Sequence, residues 1–440
     1  MTAMGHIVNE EQTYDLLHRR MMHTIQGATS SPTLTKILSV LYSPEDAKLA
    51  FHLPNTFISL HALSRKLNIP REELQSKLTD MARRGLVFDM EHKGRSYYTL
   101  PPVVVGLFEF TYMRVRPDLP IQELSRLFEE YFYENNGEFF RIISEGKTSL
   151  FRTLVREETI PADAYTEILD WERASQIVST SSAAAVGICQ CHHLEQHLGR
   201  GCSKPQEVCL TFNGAAKSLI RNGIARAITK DEATAILVKS KEAGLAQTAD
   251  NVKNKVSFIC NCCGCCCHVM KGIKTYNIRR PGIMTSNYIM EIDQSKCKGC
   301  GKCAKACPVE AITMRQKKAG TKAVKWAERS EQACLGCGVC ATYCKNGAAS
   351  MKSRPQRVVV PETVFDQRIM MAIERGKLAD LIFDDPDKLS HRALGRILRV
   401  LEKTQPIKAY LAAQSLNSAF VQRIVGVGKK KTGKVTDSIA

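Results

Sequence analysis

Eight cysteines near the end of a cysteine-rich stretch are written as one motif twice. The first copy is Cys297-x-x-Cys300-x-x-Cys303-x-x-x-Cys307-Pro308, and the second is Cys334-x-x-Cys337-x-x-Cys340-x-x-x-Cys344. A 4Fe–4S cube needs four thiolates around a compact body. Two-residue spacers let three sulfurs of one tight loop point into the same hollow, while the fourth comes without strain only from the other copy. The expected ligand sets are therefore crossed: Cys297, Cys300, Cys303 and Cys344 for one cluster, and Cys334, Cys337, Cys340 and Cys307 for the other.

This spacing is that of bacterial-type two-cluster ferredoxins. Gly299 and Gly301 flank Cys300, and Gly336 and Gly338 flank Cys337, which suits loops needing unusual backbone angles and amides close to sulfur. Structural zinc also uses C-x-x-C, but as two separated pairs with four ligands in all, a poorer match to the doubled motif. Lys345 stands where the first copy has Pro308, a departure that removes no ligand.

All eighteen cysteines fall between Cys189 and Cys344. The ten upstream of the doubled motif form two groups. Cys189, Cys191, Cys202 and Cys209 sit in a Gly- and Pro-containing stretch read as a loop, with His192, His193 and His197 close by. Cys260, Cys262, Cys263, Cys265, Cys266 and Cys267 fall within eight consecutive positions. Adjacent residues of an extended segment face opposite ways, so a single site takes them all only with a turn at Gly264. The expectation is one or two further iron–sulfur clusters with unassigned ligands. The alternatives are a structural zinc on Cys189, Cys191, Cys202 and Cys209, or a redox-active dithiol within 260–267.

The elements that must position these residues read as an α+β chain: a winged helix, a helical middle region with cysteine-rich loops, the ferredoxin domain and a helical C-terminal cap. The expected domains are 1–101 (winged-helix-like), 102–187 (helical connector), 188–285 (cysteine-rich and helical), 286–356 (ferredoxin) and 357–440 (helical, with a basic tail). At the N-terminus, a helix from Ser59 breaks at Asn68-Ile69-Pro70. A second helix, Arg71 to Arg84, carries Leu74, Leu78 and Met81 on one face and closes at Gly85. Two strands follow, Leu86 to Met90 and Ser96 to Leu100, which completes a winged-helix order. The second helix sets Arg71, Gln75, Lys77, Arg83 and Arg84 against Glu72, Glu73 and Asp80, a mixed face that favours protein contact over DNA. Leu119 to Tyr133 reads as an aromatic-rich helix, turned at Asn135-Asn136-Gly137, and a further helix follows Pro161 and reaches about Thr180. Helices are expected at Phe212 to Arg226, at 230–243 behind a Thr229/Glu232 capping box, at Pro361 to Gly376, at Leu389 to Thr404 and at Ser415 to Val425.

The formal charge is +18, and 271–357 alone holds eighteen Lys and Arg against five Asp and Glu. Part of that excess offsets anionic clusters, and the rest predicts an acidic redox partner or a larger oxidoreductase complex. The segment Gly428 to Lys434 reads as a solvated basic tail. No run of eighteen apolar residues suggests a membrane span, and the first eleven residues lack the pattern of a secretory signal. Thiolates kept free for iron fit a reducing cytoplasm, as in an anaerobe.

The stretch Cys189 to Ile312 resembles a family of multi-cysteine proteins of anaerobes, catalogued as 4Fe–4S dicluster ferredoxin-domain proteins. The matching residues are Cys189-Gln190-Cys191, Gly201-Cys202, Pro205-Gln206-Glu207-Val208-Cys209-Leu210, Ile259 to Cys266, and Ser286-Asn287-Tyr288. His192 stands where the family pattern has arginine. The resemblance implies electron transfer without a defined substrate. No G-x-G-x-x-G after a strand and no Walker loop signals a nucleotide or flavin, and no residue is assigned as catalytic. The reading is an electron-transfer component of an oxidoreductase rather than a stand-alone enzyme. Its alternatives are a redox-sensing DNA-binding regulator and a reductase with a site-differentiated cluster.

Overall fold

The computed structural model describes residues 10–161, 170–278, 280–319 and 322–402. These form two compact units. The first takes the described residues up to Thr111, Val115–Ile142 and those from Ala372 on, and the second takes Tyr112–Arg114 and Ile143–Met371.

In the first unit, helices Leu60–Leu67 and Arg71–Arg84 meet at a turn where Asn68 is left-handed, and Gly85 ends the second helix at φ 81°. Leu74, Leu78, Met81 and Ala82 face inward. Strands β1 (Ile58–Ser59), β2 (Phe88–His92) and β3 (Arg95–Thr99) form an antiparallel sheet in the order β1-β3-β2. Both strands run closer to the turn than expected, because the turn closes tightly on Lys93 and Gly94, both at positive φ. The helix Ile121–Ile143 is interrupted at Asn135, Asn136 and Gly137, all at positive φ. Phe128, Phe132, Phe139 and Phe140 are core residues around that break.

The second unit corrects the expectation of a helical middle region. It is organised on a seven-stranded sheet, β10-β4-β8-β9-β6-β5-β7. Its strands are β4 (Phe151–Leu154), β5 (Ala184–Ile188), β6 (Glu207–Phe212), β7 (Arg226–Ile228), β8 (Ala246–Asp250), β9 (Phe258–Cys262) and β10 (Met284–Thr285). The pairs are antiparallel except β10–β4. The strands are short and β-branched residues are scattered among Ala, Gly and Cys, so the period-2 signal is weak. The helices Ala174–Thr180 and Lys230–Glu242 supply Ile177, Val178, Ala233 and Leu237 to a core with Val186, Leu210, Phe212 and Ile259. Alternation along β6 and β9 sends Leu210 and Ile259, which are paired, to that core. It therefore turns Cys209, Cys260 and Cys262 to the opposite face.

The segment carrying the doubled motif adds two antiparallel pairs: β11 (Tyr288–Ile292) with β14 (Ala349–Ser353), which closes the segment end to end, and the hairpin β12 (Ile312–Ala319) with β13 (Lys322–Arg329). The expected C-terminal cap is also revised, since the described residues from Ala372 on group with the first unit and not with the ferredoxin segment. The helix expected at Ser415 to Val425 and the basic tail lie outside the described residues, as does the start of the helix expected after Pro161. Among the described residues no helix is long and apolar enough to cross a membrane.

Candidate metal centres

Each copy of the doubled motif wraps a loop and then starts a short helix, Lys302–Ala306 or Val339–Thr342. Gly301 and Gly338 stand left-handed at the heads of these helices, so the third cysteine of each triplet turns back toward the first two. One hollow, of about 380 Å³, is lined by Cys297, Cys300, Cys303 and Cys344. The other, of about 330 Å³, is lined by Cys334, Cys337, Cys340 and Cys307. The sulfurs thus gather in the crossed sets. Backbone amides support the crossing cysteines in parallel fashion: Ala311 N donates to Cys307 Sγ at 3.2 Å, and Ala349 N to Cys344 Sγ at 3.3 Å. Such N–H···S bonds stabilise thiolate over thiol.

The two hollows differ in setting. Cys334, Cys337 and Cys340 are buried, whereas Cys300 is exposed and Cys297, Cys303 and Cys344 are half-buried. Burial pushes the Cys337 thiol up to about 12 and raises Cys340, Cys303 and Cys307 as well, with neighbouring thiolates adding to each rise. Metal binding would therefore have to displace protons, and bound iron would hold these sulfurs ionised. Lys298 and Lys302 line the exposed hollow, and Lys296, Lys305 and Lys345 are exposed beside it.

Arginines unmarked by any motif tie the buried hollow to the large sheet. Arg156 N donates to Cys337 O at 3.2 Å. Its guanidinium, buried, reaches Thr342 Oγ1 at 2.9 Å, Lys241 O at 2.8 Å and Leu245 O at 3.1 Å. Arg354 donates to Cys334 O at 2.8 Å and to the carbonyls of Ser286 and Tyr288 at 3.1 and 3.0 Å. Ser286-Asn287-Tyr288 is thus a brace for this loop. Asn287 donates to Glu172 at 2.7 Å, and its side-chain oxygen accepts from Val358 N at 2.6 Å. Sequence reasoning missed both arginines because an isolated arginine carries no spacing signal.

The ten other cysteines divide differently from their order in the chain. Cys202, Cys263, Cys265 and Cys266 bring their sulfurs within 4.8 Å of one another. The remaining six form a second, connected set. Cys260 interacts with Cys209 and Cys262, Cys267 with Cys262 and Cys191, and Cys189 lies between the two sets, near Cys263 as well as Cys267 and Cys260. The zinc alternative on Cys189, Cys191, Cys202 and Cys209 is therefore not assembled, because Cys202 joins the other set. Cys209 and Cys260–Cys262 lie on strands β6 and β9, not on loops. Burial pushes Cys189 up to about 12. His192 Nε2 bonds the Cys202 carbonyl at 2.6 Å and so positions that loop, whereas His193 and His197 pair at 3.1 Å within the helix Gln190–His197.

The middle site abuts the buried ferredoxin hollow. Gly264 lies against Pro308, where a Cβ would collide with the Pro308 carbonyl. Lys274 Nζ locks the contact, donating to Gly264 O at 2.9 Å and Glu310 Oε1 at 3.1 Å.

A family model described as a 4Fe-4S dicluster domain matches residues 296–357, the segment holding both triplets and both crossing cysteines. No curated protein and no solved structure matches the chain. The match and the clustered cysteines support an iron–sulfur electron-transfer role.

Proposed function

We propose that this chain is a cytoplasmic electron-transfer protein that serves a larger oxidoreductase. The observation that carries the reading is the pair of crossed four-cysteine hollows. When bound, 4Fe–4S clusters supply reversible one-electron chemistry there. The chain's own part is to hold the sulfurs, exclude water and set distance. The helices Lys302–Ala306 and Val339–Thr342, which follow the two loops, pack on each other, so the two hollows are neighbours. Cys189, Cys191, Cys209, Cys260, Cys262 and Cys267 are read as ligands of one further cluster, with two sulfurs to spare.

The exposed hollow, ringed by Lys296, Lys298, Lys302, Lys305 and Lys345, suits an acidic docking partner. The N-terminal helices and three-stranded sheet are read as a winged helix used for protein contact. In support, Lys77 pairs with Glu73 at 2.7 Å, and Arg84 with Asp80 and Asp46, both at 2.8 Å, so much of the second helix's positive charge is already spoken for.

The test is anaerobic: chemically reduced protein is mixed with a one-electron acceptor protein in a stopped-flow instrument. Rapid, reversible oxidation of the iron–sulfur absorbance supports the reading. Absorbance that does not respond to reductant or acceptor refutes it.

A further inference from the structure

We infer that Cys202, Cys263, Cys265 and Cys266 hold a single divalent ion, zinc or iron, and not an iron–sulfur cluster. The argument is one of size. Cys202 and Cys263 sulfurs are 3.9 Å apart, as are those of Cys265 and Cys266, and all four lie within 4.8 Å of one another. Four thiolates placed tetrahedrally at ~2.3 Å from one ion stand ~3.8 Å apart. A cube puts each cysteine on a different iron, so its four sulfurs must be spread around the whole inorganic body. The ferredoxin sets of this same chain are spread wider: each lines a hollow, and neither gathers three of its sulfurs within 4.8 Å of one another. Among the described residues, no other set of Cys, His, Asp or Glu gathers three or more ligand atoms as tightly.

The local backbone builds the site. Just past β9, Cys267 N bonds Cys263 O at 3.2 Å, closing a single turn that brings Cys263, Cys265 and Cys266 round to one side. Cys202 arrives from the loop held by His192. Val208 and Leu245 pack against Cys263 and Cys266, and Cys265 is the one exposed ligand. Tetrahedral four-sulfur coordination selects zinc or iron over harder ions. The ion staples the Cys202 loop to the turn whose Gly264 rests on Pro308.

This inference concerns sulfurs outside the ferredoxin sets and stands apart from the electron-transfer reading. The test uses the full chain purified anaerobically, as wild type, Cys202→Ser and Cys265→Ser. Iron, zinc and acid-labile sulfide are measured, together with X-ray absorption at the zinc edge and Mössbauer spectra. The expected result is one ion per chain in a four-sulfur shell without a metal neighbour. It appears as zinc in the absorption spectrum or as a mononuclear ferrous tetrathiolate in the Mössbauer spectrum. Both variants lose that ion and keep their sulfide. Loss of about four irons with about four sulfides would make the site a cubane and overturn the inference. So would variants that retain every metal. Should Cys202→Ser fail to fold, the exposed Cys265→Ser and the wild-type spectra still decide. The electron-transfer reading is judged separately, on the sulfide and redox response that remain in these variants.

Discussion

Gly264 and Pro308 meet backbone against backbone, with no room between them for a side chain. One neighbours Cys263 and Cys265 of the tight four-sulfur set, and the other neighbours Cys307 of the buried ferredoxin hollow. A residue chosen for its smallness thus joins two metal regions separated by forty residues of sequence.

Gly264→Ala is expected to force these segments apart. Overpacking of this kind costs ~1–3 kcal/mol, and the loss should appear as a lower denaturation midpoint. Metal analysis should show loss from the middle cysteines while the 297–344 segment stays loaded. Unchanged stability and unchanged metal content would show that the contact is dispensable.

Cys307→Ser and Cys344→Ser should each damage the hollow built mainly by the other triplet. Each variant should lose up to about four irons, and EPR should show that Cys307→Ser spares the signal of the exposed site while Cys344→Ser spares that of the buried one. If each serine substitution damaged its own triplet's site, the crossed pairing would be wrong.

Arg156 places a buried positive charge beside Cys337 and Cys340. Reduction adds negative charge, so Arg156→Ala should lower the potential of the buried site by on the order of 60 mV, the scale of ~1.4 kcal/mol for one electron. Arg156→Lys should restore part of that shift. Potentiometric titration followed by EPR measures both, and equal potentials in all three proteins would remove the arginine from the account.

The exposed lysines around the Cys297–Cys303 loop should speed association with an acidic redox protein in a salt-dependent way. Between 0.01 and 0.15 M ionic strength the screening length falls from about 30 to about 8 Å, so the rate should fall steeply. Lys298→Glu with Lys302→Glu should flatten that dependence. A flat wild-type profile would mean that charge does not steer docking.

Asp250 is buried in β8 and accepts from Ser257 N at 3.0 Å, and burial pushes its carboxyl up to about 6. The folded chain therefore keeps a proton that the unfolded chain releases near pH 4. Stability linked to this group is greatest below that lower value and is lost as pH rises through about 6. The difference in unfolding free energy between wild type and Asp250→Asn should fall across this window and level off above it. A difference independent of pH would show an unshifted carboxyl.

How much could be read from residues alone depended on whether position or only proximity was encoded. The Arg71–Arg84 helix carried its apolar face and its glycine stop in the chain itself, and it folds over that span. The doubled cysteine motif named the two sets of four that line the hollows, because its short spacers leave few ways to wrap a compact body. The middle sheet was hidden, since strands such as Ala184–Ile188 and Ala246–Asp250 lack strong alternation and gain stability from their neighbours. The division of the ten upstream cysteines was likewise invisible. It depends on β6 and β9 lying side by side and on the turn at Gly264, both set by tertiary packing. Arg156 and Arg354 act through carbonyls brought close only by the fold.

The most direct measurement is a reductive titration of anaerobically purified protein, followed by EPR alongside iron and acid-labile sulfide analysis. The account predicts at least about eight irons and eight sulfides per chain, with two interacting one-electron signals that appear on reduction and vanish on reoxidation. Protein fully loaded with zinc at the eight ferredoxin cysteines, free of sulfide and silent on reduction, would contradict it.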